Sequence, residues 1–146
     1  MDQNIIILRE KTGAGVMECK RALTEAQGNM DKAIEIIHAQ GLAKAETKKD
    51  RKTGAGILKT YIHNERIGVL VEIRCETDFV VKSDPFQELA TNVAMHIAAI
   101  GPETVEELLK QPYVRDESIT VEELVKSTTG VTGENIKIER FARFEL

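Results

Sequence analysis

The chain has 146 residues, 42% hydrophobic and 30% charged, which is enough to bury a core without disulfides and too apolar for a disordered polymer. Aromatics make up only 4%, Trp is absent and the formal charge is −4, so base-stacking platforms and a basic phosphate-binding footprint are excluded and no direct nucleic-acid partner is expected. Cys19 and Cys75 form no CxxC pattern, the first residues show no basic-then-apolar leader, and no apolar run approaches the roughly 20 residues that span a bilayer; a zinc knuckle, a disulfide scaffold and a membrane protein are set aside, and a reducing, cytoplasmic setting is expected.

Charge divides the chain. Residues 1–53 carry ten Lys and Arg against eight Asp and Glu, and residues 54–146 carry ten against sixteen. The change falls after Lys44, Lys48, Lys49, Arg51 and Lys52, so a basic linker over 42–54 and a boundary after residue 53 are expected. The first segment reads as three short helices. One carries Ile5 and Leu8 and is broken by Thr12-Gly13-Ala14-Gly15. The next has an apolar stripe of Val16, Cys19, Ala22, Leu23 and Ala26, closed by Gly28. The third is capped by Asn29, carries Met30, Ala33, Ile34 and Ile37, and stops at Gly41. None is long enough to stand alone in water, so their stripes must pack together.

After residue 54 the period changes. Ile57–Ile62 and Ile67–Ile73 are rich in β-branched residues around Asn64-Glu65-Arg66, which predicts an antiparallel hairpin. Thr77-Asp78-Phe79-Val80 follows. Ser83-Asp84-Pro85 then starts a helix whose stripe is Phe86, Leu89, Ala90, Val93, Ala94 and Ile97, ending at Gly101-Pro102. Short acidic helices are expected over 103–110 and 121–127, and a bulged final strand over 136–145, where alternation slips at Arg140-Phe141. The whole reads as α+β: a three-helix unit over 1–53 and, over 54–146, a small antiparallel sheet packed with helices on one face.

Few motifs carry chemistry. Lys-Thr-Gly-Ala-Gly occurs at 11–15 and 52–56 without the Gly-Lys-Ser/Thr of a nucleotide loop, so each copy reads as a tight turn. His38, His63 and His96 share no ligand spacing with each other or the cysteines; no metal or cofactor is expected, and His96, inside an apolar helix, reads as a core histidine. A nucleophile with a paired base is absent, and the acidic residues of 103–107 and 116–123 read as solvated helix faces, so no enzyme is expected. Asp78-Phe79 is the odd feature: a ring beside a carboxylate where a strand turns toward a helix. It either caps the core or is a rigid aromatic wedge offered to a partner.

At Leu8–Leu23, Ile67–Val80, Met95–Ala99, Gln111-Pro112, Gly133–Ile136 and Arg140–Leu146 the sequence resembles the elongation factor Ts family. The resemblance implies a ubiquitin-associated-like three-helix domain followed by the family's α+β dimerisation-domain-like core. It further implies a guanine-nucleotide exchange factor that binds elongation factor Tu, GDP-bound and nucleotide-free, and promotes GDP release during translation elongation. Thr77, Asp78, Phe79 and Val80 match the motif that enters beside the nucleotide's Mg²⁺ site. Arg9, Val16, Met17, Lys20 and Lys48 match positions where the N-terminal domain docks on the GTPase, with Val16 in place of the more usual Met. His63, in Tyr61-Ile-His63, and Thr132 and Gly133, before Glu134-Asn135, match further core contacts.

Two departures from the family pattern carry an implication. One short core holds motifs that long members divide between two halves, so a homodimer is expected. A helical insertion between Gly101 and Gln111 is also missing. The cytoplasm of a bacterium or the matrix or stroma of an organelle fits this role. The alternative is an adaptor whose three-helix domain binds ubiquitin-like or helical partners, the core serving only to dimerise; such a protein has no need of the Asp78-Phe79 turn.

Overall fold

The computed structural model describes residues 2–146. Helix α1 (Gln3–Thr12) begins where the Asp2 carboxylate accepts from the Asn4 amide and ends at Gly13, whose φ of 70° is open to glycine at little cost. Helix α2 (Val16–Glu25) follows, with the Glu18 carboxylate reaching back to accept from the Gly15 amide. Helix α3 (Met30–Lys48) starts at Asn29, whose side chain accepts from the Lys32 amide. Ile5, Leu8, Cys19, Ala22, Leu23, Ala26 and Ala33 form their shared core.

Helix α3 does not stop at Gly41. It continues unbroken to Lys48, so much of the expected linker is helix and only the residues between Lys48 and the first strand are irregular. The reason lies across the molecule. Gly41 faces Gly130 on helix α7 (Val121–Thr132), and a Cβ placed on Gly130 would come 2.7 Å from the Gly41 Cα. Glycine at 130 is what lets the helix backbones come so close, and the packing gained there outweighs the intrinsic cost of about 1 kcal/mol that Gly41 carries inside a helix.

The sheet has the order β1-β2-β5, antiparallel throughout, from β1 (Ala55–His63), β2 (Ile67–Cys75) and β5 (Lys137–Glu145). Asn64 and Glu65 sit at φ of 50° and 59°, and the Arg66 amide donates to the His63 carbonyl at 3.0 Å. This tight turn has both central residues left-handed, the geometry that matches strand twist. Glu72 pairs with Arg140 and Ile73 with Ile138, which leaves Glu139 as the bulge residue, one position before the expected slip. Val69, Val71, Ile73 and Cys75 face helix α5 (Asp84–Ile100), which buries Phe86, Leu89, Ala90, Val93, Ala94 and Ile97. On the other face Leu58, Ile62, Leu70 and Phe144 stay exposed.

Helix α6 (Val105–Lys110) is shorter than expected, capped by Thr104, whereas α7 runs on to Thr132 beyond the expected end at 127. Between them lies a small hairpin, β3 (Pro112–Tyr113) and β4 (Asp116–Thr120); residues 116–120, expected on a solvated helix face, are strand. His96 pins that hairpin to α5. Its Nδ1 accepts from the Val114 amide at 3.1 Å, so the proton sits on Nε2, which donates to Gln111 Oε1 at 2.9 Å. The ring is fully buried, and burial holds its pKa below the ordinary histidine value.

Candidate functional site

Strand β2 ends at Cys75 and the chain turns at once into α4 (Asp78–Val81), a single turn of helix. Thr77 caps it, its hydroxyl oxygen accepting from the Val80 amide at 3.3 Å. Val80 points into the core, and Phe79 stands out with 85% of its surface exposed, beside exposed Asp78. The far end of the turn is tied as well. Ser83 Oγ donates to the Val80 carbonyl at 2.7 Å and Gln87 Nε2 to the Val81 carbonyl at 2.7 Å.

The near end is held by a turn distant in sequence. Glu134 Oε1 accepts from the Glu76 and Thr77 amides at 3.1 and 2.9 Å, and its Oε2 accepts from the Thr77 hydroxyl at 2.7 Å. In return Glu76 Oε1 accepts from the Asn135 amide at 2.8 Å. The Asn135 side-chain amide donates to the carbonyls of Lys49 and Arg51 at 3.3 and 2.8 Å, which ties in the segment leading out of α3. Beneath the turn, the Cys75 thiol donates to the Thr77 carbonyl; burial first, then the negative charge of Glu134, push its pKa up and leave it an unreactive thiol. Chemically this is a rigid mount for an apolar ring and a carboxylate.

The other residues singled out in the sequence fall in three places. Val16, Met17 and Lys20 share one face of α2 and, with Ile5 and Leu23, line a shallow depression of about 600 Å³; Arg9 is exposed on α1 outside that lining. Lys48 lies elsewhere, at the end of α3, where its Nζ would be 3.9 Å from a Cβ on Gly133. Thr132 and Gly133 finish α7 immediately before Glu134, whose amide donates to the Thr132 hydroxyl at 3.4 Å; they lead into the mount of the Phe79 turn, and among the described residues neither hydrogen-bonds to the turn itself. His63 does not join it. It sits at the β1–β2 turn, its Nδ1 3.0 Å from the Tyr61 hydroxyl, at the opposite end of a nine-residue strand that spans roughly 26 Å. Glu76, Glu134 and Asn135 were missed as site residues; only their places in the resemblance, Glu76 within Ile67–Val80 and the other two within Gly133–Ile136, pointed to them. Among the described residues no group of three His, Cys, Asp or Glu is arranged to hold a metal ion, and no helix is long and apolar enough to cross a membrane.

The family model described as "Elongation factor TS" matches residues 17–107 and 76–146. The chain is 42% identical over 186 aligned positions to the elongation factor Ts of Rippkaea orientalis, covering 95% of this chain and 75% of that protein. It is 39% identical to that of Thermosipho melanesiensis, covering 94% and 93%, and 40% identical to the chloroplastic elongation factor Ts of Cyanidioschyzon merolae, covering 95% and 90%. An alignment of 186 positions exceeds the 146 residues of the chain, so these relatives carry segments it lacks.

Proposed function

The chain belongs to the elongation factor Ts family of translation elongation factors, and from that premise we propose that it binds elongation factor Tu·GDP and speeds the release of GDP without itself catalysing a covalent reaction. The observation that carries this reading is the Phe79 ring, 85% exposed on a turn fastened at both ends. Exposing a large ring costs solubility and does nothing for the core, which Val80 already fills.

Exchange follows from linkage. A protein that binds nucleotide-free Tu more tightly than Tu·GDP weakens GDP by the same factor, at about 1.4 kcal/mol per tenfold. Burying one Phe ring supplies roughly 1.5–3 kcal/mol, or about ten- to a hundredfold. A larger effect needs Asp78 beside the nucleotide's Mg²⁺ site and a second anchor. The depression formed by Val16, Met17 and Lys20 is that anchor: Met17 offers an exposed thioether and Lys20 a charge, while Arg9 and Lys48 act outside it.

The working form is a homodimer in the cytoplasm. Phe79 and His63 lie at opposite ends of β2, too far apart for one copy to bring both to a single site, and a two-fold axis resolves this by supplying one from each protomer. The exposed sheet face of Leu58, Ile62, Leu70 and Phe144 is the surface available for pairing. Stopped-flow release of fluorescent GDP from Tu tests the reading. Acceleration that saturates with added chain is expected, and release at the intrinsic rate would overturn it.

A further inference from the structure

A single carboxylate, that of Glu134, accepts three hydrogen bonds from the residues just before Phe79. Without Glu134, the Glu76 and Thr77 amides lose their acceptor at the point where β2 has ended and α4 has not begun. The Thr77 hydroxyl both donates to Glu134 and accepts from the Val80 amide, so the carboxylate sets the direction of the hydroxyl that caps α4. A four-residue helix has no cooperative reserve of its own, so its shape must come from such outside fastenings. The fastening also runs further. Asn135, next to Glu134, grips the backbone at Lys49 and Arg51, and its amide is held by Glu76, whose carboxylate lies 3.7 Å from the Arg51 guanidinium.

We propose that Glu134 is the positioning residue of the Phe79 turn: its carboxylate holds Thr77–Val80 in the ring-outward pose, and Asn135 joins that pose to the segment by which α3 enters the core. The inference rests on the wedge reading of Phe79 for its effect on exchange and on geometry alone for its effect on the turn. Glu134 touches neither nucleotide nor Mg²⁺ in this scheme; it acts through Phe79. Replacing it by Gln keeps an oxygen for the amides but removes the charge and the second acceptor, so the Thr77 hydroxyl proton loses its partner.

The test has two readouts. In the full-length chain alone, amide hydrogen exchange at Glu76, Thr77 and Val80 should quicken about tenfold in Glu134→Gln, the size expected for losing a charge-assisted hydrogen bond, and further in Glu134→Ala, with the core strands unchanged. Unchanged exchange at these amides, or faster exchange throughout the chain, would overturn the proposal. In GDP release from Tu, Glu134→Gln should lower the maximal rate with little change in the half-saturating concentration, and in a Phe79→Ala background should remove nothing more. Losses that multiply in the double variant would show that Glu134 acts independently of the ring and would also overturn it. If the unaltered chain fails to accelerate release, the functional reading falls, while the hydrogen-exchange result still decides the positioning role.

Discussion

Phe79 and Val80 are consecutive residues on one turn of helix, yet the first is 85% exposed and the second 5%. The inward residue anchors the turn and the outward one is free for a partner. Phe79→Ala should therefore leave thermal unfolding almost unmoved, within about 0.5 kcal/mol as for other surface changes, while lowering the maximal rate of GDP release from Tu by about ten- to a hundredfold, the burial value of one ring. Replacing Met17 and Lys20 together should do the reverse: calorimetry should show weaker binding, with the maximal rate largely kept. A Phe79→Ala protein as fast as the unaltered chain would remove the wedge from the mechanism.

The exposed sheet face makes a separate prediction. Leu70 lies at its middle, paired with Thr60 on one side and Ala142 on the other. On the proposed dimer, Leu70→Lys puts a charge where two copies would meet, so sedimentation at tens of micromolar is expected to find a dimer for the unaltered chain and a monomer for the variant. The circular dichroism of the two should be alike, because that face contributes nothing to the monomer's own core.

The crossing of α3 and α7 predicts opposite signs for one substitution at two sites. A Cβ on Gly130 would stand 2.7 Å from the Gly41 Cα, a backbone atom that cannot swing aside. Overpacking of this kind costs about 1–3 kcal/mol, more than the helix-propensity gain of up to about 1 kcal/mol, so Gly130→Ala should lower Tm by several degrees. A Cβ on Gly41 would meet only the Gly130 Cα at 3.9 Å, an ordinary contact. There the propensity gain wins, and Gly41→Ala should leave Tm unchanged or raise it. Paired melting curves decide it.

His96 predicts a dependence on pH. Its folded pKa is held below the ordinary value by burial, so as pH falls below about 6.5 the unfolded chain takes up a proton that the folded ring refuses. The stability contributed by the neutral ring is complete above that value and is lost progressively as pH drops toward the folded pKa. Melting temperatures between pH 7.5 and 5 should fall more steeply for the unaltered chain than for His96→Gln, which cannot titrate. Equal slopes would show that some other group sets the acid limit.

Local chemistry made much of this readable in advance. The β1–β2 hairpin, the Ser83-Asp84-Pro85 helix start and the bulge in β5 each depend on residues close together in sequence, and each is found within a residue or two of the expected place. The failures share a cause. Gly41 reads as a stop because nothing nearby reveals that Gly130 packs on it. Residues 116–120 lack the alternation of a strand and become one because Tyr113 is buried and His96 fixes Val114. Glu134 looks like any surface acid until the fold brings it to Thr77, 57 positions away. The outward pose of Phe79 could be named as one of two options in the sequence; its fastenings could not.

The uninterrupted run of α3 has a mechanical consequence. Nineteen residues of helix make a strut of about 28 Å, seated by the three-helix core near its start and by α7 near its end. Where a slack tether would dilute a second contact once the first was made, a strut fixes the separation of the two proposed grips, so on that reading a bivalent hold on one GTPase should lose little to linker entropy. A molecule holding its client in this way would work as a ruler: it would suit a client whose two footholds lie at the matching span and pass over one whose footholds do not.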